Sequence, residues 1–283
     1  MEFTKIGTEQ FIALGLGAAL SVIITLAIAL VWKIKKKEPF TTILVGAVTF
    51  ILAALLIEKT LQNALVFPTQ MGLPDHAASR FINARPILWS VVLGLFPGVF
   101  EETGRFVAFK TVLKNRRNRE TSISYGIGHG GIEVILAFSV TYITYIAYGI
   151  MINSGSFQAL IDQVASQAPD QVSAMQTLAD QLAAISFADI GVGLFERVFA
   201  FLFHVGASIL VFYAARDKGK LWLYPLAIIL HTALDSFAGL NAAKVIQLSV
   251  PALEAMAAAF GVLTFLGAYI LLYKKDTGTA ESK

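Results

Sequence analysis

Gly98-Val99-Phe100-Glu101-Glu102-Thr103-Gly104-Arg105-Phe106 places two adjacent carboxylates and an arginine inside a stretch that otherwise reads as a membrane-spanning helix. A charged side chain at the bilayer centre costs roughly 2.5–3.5 kcal/mol on insertion scales, so such residues are rare there and mark function. Three further apolar segments carry a histidine at a similar depth: His129 with Glu133, His204 alone, and His231 with Asp235.

The chain around this stretch has 283 residues, of which 56% are hydrophobic and 14% charged. Soluble domains carry about 25% charged residues, so the composition excludes a soluble globular protein. Continuous apolar runs near the ~20 residues that cross a hydrocarbon core point to helices, and their lack of alternation excludes a β-barrel. With no cysteine there is no disulfide framework and no thiolate nucleophile or ligand. The basic clusters are short and flank spans, which argues against nucleic acid as a partner.

The expected fold is an all-α polytopic membrane protein with about seven transmembrane helices, forming a single integral membrane domain over residues 1–283. The spans are expected at about 11–32, 41–57, 86–113, 122–150, 190–215, 221–240 and 250–273. The first run is too long for a signal-peptide core, and its basic flank follows it as Lys33, Lys35, Lys36 and Lys37, which reads as an anchor with its N-terminus outside. In that orientation fifteen cations lie at cytosolic ends: Lys33, Lys35, Lys36, Lys37, Lys110, Lys114, Arg116, Arg117, Arg119, Arg216, Lys218, Lys220, Lys274, Lys275 and Lys283. Five lie outside: Lys5, Lys59, Arg80, Arg85 and Lys244. The bias follows the positive-inside rule, and the expected location is a bacterial plasma membrane. Segment 152–189 has no basic residue, and Val172, Met175, Leu178, Ala179, Leu182 and Ile185 recur in it at helical spacing. It reads as an amphipathic hairpin on the outer leaflet, or as a gate over a substrate entrance.

At 1.5 Å per helical residue, Glu101 lies roughly 20 Å from the cytosolic edge, His129 roughly 14 Å, His204 roughly 18 Å and His231 roughly 17 Å. Four helices thus offer imidazoles and carboxylates to one layer. The pairs Glu101/Arg105, His129/Glu133 and His231/Asp235 are each four apart and share a helix face. Glycines 126, 128, 130 and 131 surround His129 and let neighbouring backbones approach. Glu102 with Arg105, and Glu196 with Arg197, also read as ion pairs that fix helix packing. Three chemistries suit the layer. A carboxylate held beside a histidine activates water for peptide hydrolysis. Histidines and a carboxylate bind zinc, with His129, His204 and His231 as ligands beside Glu133 or Asp235. The same groups relay protons or bind an ion in a transporter, or serve a non-hydrolytic scaffold. A transporter usually shows repeats or paired broken helices, and none is evident.

At these motifs the chain resembles the YhfC-like bacterial membrane proteins. They form a branch of the wider superfamily of type II CAAX prenyl proteases, CPBP/abortive-infection proteins and PrsW-like proteases. The family pattern of Glu-Glu with a following Arg or Lys, aromatic-x3-His and His-x3-Asn/Asp looks like Glu101-Glu102-Thr103-Gly104-Arg105, Tyr125 to His129 and His231 to Asp235. Tyr125 stands where Phe is typical. Two residues rather than three separate Glu-Glu from the arginine, as in the YhfC- and PrsW-like branches.

The resemblance implies an intramembrane endopeptidase of glutamic type, acting on a membrane-anchored protein or peptide with no resident cofactor and with zinc as the alternative. It implies Glu101 as general base with His129 as its partner in holding water. Glu102 and Arg105 are implied as support, and His231 and Asp235 as the oxyanion or substrate-carbonyl side. His204 joins this set by depth, and Glu133 by helical phase.

Overall fold

The computed structural model describes residues 3–167 and 169–277; Lys283 and the remaining residues of the 1–283 expectation lie outside the described residues. Every regular element among the described residues is helical. Seven helices are long and apolar enough to cross a membrane: α1 (Thr8–Lys36), α2 (Phe40–Val66), α4 (Pro86–Lys110), α5 (Glu120–Ser154), α8 (Phe187–Arg216), α9 (Leu223–Ala242) and α10 (Val250–Tyr273). Three shorter helices are α3 (Ala77–Asn83), α6 (Phe157–Gln167) and α7 (Val172–Ala184). His76, expected in a loop, caps α3: its Nδ1 accepts from the Ser79 N–H while its own N–H donates to Ser79 Oγ.

Backbone packing divides the chain into two compact units. The first comprises the chain up to Leu26 together with Val134–Arg197. Here Asn153 closes two hydrogen bonds on the backbone of Ile6, each 2.8 Å, and so anchors the start of the chain. Ser21 Oγ and Ser139 Oγ meet at 2.7 Å. The hairpin expected on the outer leaflet is helical, with its break at the 3₁₀ turn Pro169–Gln171. Its apolar face is taken up by the chain itself: Ala179 and Leu182 of α7 pack with Phe157 and Ile161 of α6, and with Ile6 and Ile152. Glu196 and Arg197 pair with each other.

The second unit comprises Ala27–Glu133 and the chain from Val198 onward. Its core is built from Ile43, Phe109, Tyr125, Ile127, Ile209, Phe212, Tyr213 and Leu223 among others. Helix α4 packs closely against α9. Ser90, Gly94 and Gly98 recur every fourth residue on α4 and meet Thr232, Ser236 and Gly239 of α9. A Cβ on Gly98 would collide with Thr232 Oγ1, and one on Gly94 would stand 2.6 Å from Ser236 N. Small residues at this spacing let backbones touch where no hydrophobic force separates helix from lipid. A second close approach joins α2 to α5, where a Cβ on Gly128 would strike the Ile43 carbonyl.

Pro97 lies inside α4 and has no N–H for the Leu93 carbonyl. Gln62 Nε2 of α2 donates to that carbonyl at 3.3 Å, so a side chain of a neighbouring helix satisfies the orphan acceptor. Helix α2 runs on to Val66, nine residues past its expected end at Ile57, and includes a π-helical segment, Ile51–Glu58. The stripe Phe50, Ala54, Glu58, Gln62 and Val66 is buried along it, so the first charged residue is an inward-facing position and not the end of the span.

Gly98→Leu is expected to push α9 off α4. Overpacking a tight contact costs about 1–3 kcal/mol, so the detergent-solubilised variant should unfold at clearly lower temperature than wild type. An unchanged unfolding temperature would show that the α4–α9 contact does not limit stability.

Candidate metal centre

Every expected site residue lies in the second unit. Arg105 of α4 is wholly buried, and its Nη1 donates to both carboxylate oxygens of Glu102 at 2.7 Å. The arginine therefore takes the carboxylate three residues back as its partner, not Glu101 on the preceding turn. Glu102 Oε1 also meets His231 Nδ1 of α9 at 2.9 Å. Arg105 Nη2 lies 3.2 Å from His204 Nδ1 of α8. A guanidinium only donates, so Nδ1 of His204 accepts and Nε2 carries the hydrogen. That Nε2 faces Glu133 Oε2 of α5 at 2.5 Å.

Glu101, one position along α4, turns to α5, where His129 Nε2 meets its Oε2 at 2.9 Å. His204 Nδ1 is 3.9 Å from the same oxygen. His231 Nε2, freed by the Glu102 contact on Nδ1, has Asp235 Oδ2 at 3.5 Å. The three imidazoles form a row, with ring centroids 5.0 Å apart for His129–His204 and 5.4 Å for His204–His231. Phe50 meets His129 edge-on at 5.1 Å, and Phe203 meets His231 at 5.1 Å. Tyr125 lies against His129 at 6.0 Å and fills the aromatic place of the aromatic-x3-His motif.

The eight expected residues thus converge. Sequence reading missed a ninth, Glu58 of α2, which is 2% exposed. It interacts electrostatically with His231, Asp235 and Glu101, and its Oε1 lies 3.5 Å from Lys59 Nζ. The available signal was the four-residue spacing to Gln62 and Val66, which continues the buried stripe of α2 beyond the apolar run.

Glu101, His204 and His231 each offer one donor atom, and the three lie within 4.8 Å of one another. This differs from the ligand set expected for a metalloenzyme: Glu101 stands in the cluster, whereas His129 spends its Nε2 on the Glu101 carboxylate. Two imidazole nitrogens and a carboxylate oxygen match the three-protein-ligand pattern of catalytic zinc sites. Each donor has an outer partner, namely Glu133 for His204, Glu102 for His231 and His129 for Glu101. Such partners fix ring orientation and raise ligand basicity. The donor set therefore fits a divalent metal. Both ring nitrogens of His204 are engaged, so one of these contacts would give way to a bound ion.

A family model described as YhfC intramembrane metalloprotease matches residues 21–272. "Uncharacterized membrane protein YhfC" of Bacillus subtilis (strain 168) is 27% identical over 230 residues, which cover 81% of this chain and 84% of that protein. No solved structure matches. The family's description does not support the expectation of a metal-free glutamic site with no favoured cofactor; the metal-dependent alternative fits it better. With the model spanning nearly the whole membrane region, the chain belongs to the YhfC intramembrane metalloprotease family.

Proposed function

We propose that this protein is a zinc-dependent intramembrane endopeptidase that cuts a peptide bond of a membrane-anchored protein or peptide. The observation that carries the reading is the buried triplet Glu101, His204 and His231, with its donor atoms within 4.8 Å. Charge balance supports it. Glu101, Glu102, Glu133 and Asp235 share one buried permanent cation, Arg105, while Glu58 has Lys59 beside it. Uncompensated buried charge costs several kcal/mol per ion, and a divalent cation offsets it.

Glu101, His204 and His231 would hold the zinc, which when bound supplies Lewis acidity and a water acidified toward neutral pH. The chain's other groups divide the remaining work. Glu102 fixes His231 through Nδ1, and Arg105 fixes Glu102. His129 orients Glu101. Asp235 is the best-placed base: its side chain is 38% exposed, the most open carboxylate of the layer, and it stands beside His231 Nε2. Its Oδ2 takes a proton from the attacking water and delivers it to the leaving amine nitrogen. Glu101 is then a ligand, and its expected role as base passes to Asp235.

Elemental analysis of the detergent-purified protein is expected to find about one zinc per chain, with His204→Ala and His231→Ala each losing it. A folded, zinc-free wild-type protein that still cleaves would sink the reading. Asp235→Asn is expected to keep its zinc and lose cleavage by about 10²–10⁴-fold, the usual contribution of a general base. The readout is the appearance of new membrane-protein N-termini in cells carrying wild type but not the variant; wild-type levels in the variant would remove Asp235 as base.

The same reading keeps the N-terminus outside, supported by the cation bias. Because the chain has no cysteine, single introduced thiols report topology cleanly. A membrane-impermeant maleimide applied to intact cells should label Ser156→Cys and not Lys218→Cys; the opposite pattern would invert the orientation.

A further inference from the structure

At the end of α4, away from the histidine layer, the chain builds a second concave site. Lys110 closes α4, the linker to α5 contributes Lys114, Arg116 and Arg117, and Arg216 closes α8. Together they line a cleft of about 160 Å³. Its remaining walls are apolar, including Phe109, Leu113 and Phe212, and no acid lines it. The positive-inside rule accounts for cations on one side of the membrane, but not for their convergence on one hollow.

The surrounding acids attend to only part of this charge. Arg216 meets Asp217 and Asp276, each at 2.6 Å, and Lys220 meets Asp217 at 2.9 Å. Burial pushes the Asp217 carboxyl up, but its hydrogen bonds to Arg216 and Lys220 outweigh that and hold it below its usual range, so it stays ionised and committed to them. The Arg117 guanidinium reaches only the Arg216 carbonyl, at 3.3 Å. Arg116 reaches Thr41 Oγ1 at 3.3 Å, with Glu38 in electrostatic range but not paired to it. Lys110 lies over the Phe106 ring at 5.6 Å. Among the described residues no carboxylate forms an ion pair with Lys110, Lys114, Arg116 or Arg117. Like charges held around one hollow repel, and an anion seated there relieves the repulsion.

We propose that this cleft binds the phosphodiester headgroup of an anionic membrane lipid. The cations and the forked donors of Arg116 and Arg117 suit phosphate oxygens. The cleft opens where two spanning helices end, the level of lipid phosphates, and basic pockets between transmembrane helices at that level bind anionic headgroups. Its place at the ends of α4 and α8, the level of lipid headgroups, favours a lipid over free phosphate, and the buried Phe109, Leu113 and Phe212 close its floor.

The test is native mass spectrometry of the delipidated full-length protein titrated with phosphatidylglycerol, with phosphatidylcholine as the neutral control. One phosphatidylglycerol per chain should bind in preference to phosphatidylcholine. Lys114→Gln/Arg116→Gln/Arg117→Gln should weaken it at least tenfold, whereas Lys33→Gln/Lys35→Gln/Lys36→Gln, which removes as many cations outside the cleft, should not. Should the cleft triple variant fail to fold, Lys114→Gln and Arg117→Gln singly serve, each weakening binding a few-fold. Equal loss in both triple variants, or none in the cleft variants, would overturn the site. Displacement by glycerol phosphate at concentrations equal to the lipid would overturn the lipid and leave a soluble phosphate ester as ligand. Zinc content, read on the same samples, should not change, which separates failure here from failure of the proposed protease centre.

Discussion

The ion pair between Arg105 and Glu102 is the constraint on which the centre of this molecule depends. Both side chains are fully buried in helices that cross the membrane. Arginine stays protonated in proteins, so its charge must be met by an acceptor there. Glu102 meets it with two oxygens and still has lone pairs to accept from His231; Arg105 has a second nitrogen left for His204. One pair therefore ties α4 to α8 and α9 at a single level. Breaking such a pair by removing one member costs about 3–5 kcal/mol, because the survivor is left as an uncompensated buried charge. The arrangement is stiff for that reason, and stiffness is what a ligand set needs.

A polar centre of this kind needs helices close enough for short side chains to meet across them. The α4–α9 contact achieves this with Gly94 and Gly98 against Thr232 and Ser236. The contact stripe and the polar residues share α4: Gly98 is one turn before Glu101 and Glu102, and Thr232 directly follows His231. The backbone approach that excludes lipid is thus the one that delivers the imidazole. On α5, Gly128 against the Ile43 carbonyl does the same for His129.

Much of this was legible in the chain. Long apolar runs broken by basic clusters leave little choice of architecture, and seven helices long and apolar enough to cross a membrane form along those runs. The polar layer was legible for the same reason, since charges inside apolar runs stand out and helical rise turns position into depth. The details that escaped depend on tertiary geometry. The Glu102–Arg105 pair is among the readings that spacing allows, beside Glu101 with Arg105, and reach along the helix decides between them. Glu101 rather than His129 joins the donor triplet because of how α4 and α5 face each other. Glu58 escaped because a charge at the end of an apolar run reads as a boundary, whereas burial along the stripe from Phe50 to Val66 makes it part of the interior. The end of α2 was misplaced by the same inference.

Exposure across the layer follows a gradient that bears on how such a centre works in lipid. Glu102, Arg105 and His129 are fully buried, Glu101, His204 and His231 are a few per cent exposed, and Glu133 and Asp235 have side chains 20% and 38% exposed. The Arg105–Glu102 pair and His129 are sealed, the donor triplet is nearly so, and Glu133 and Asp235 are the more accessible carboxylates. Hydrolysis inside a membrane has to admit water and a peptide without hydrating the charges that hold the helices together. Placing the permanent ion pair deepest and the Asp235 carboxylate outermost suits both demands of the proposed activity. In the proposed hydrolysis the sealed Arg105–Glu102 pair keeps its contacts while the more exposed Asp235 meets the reactants.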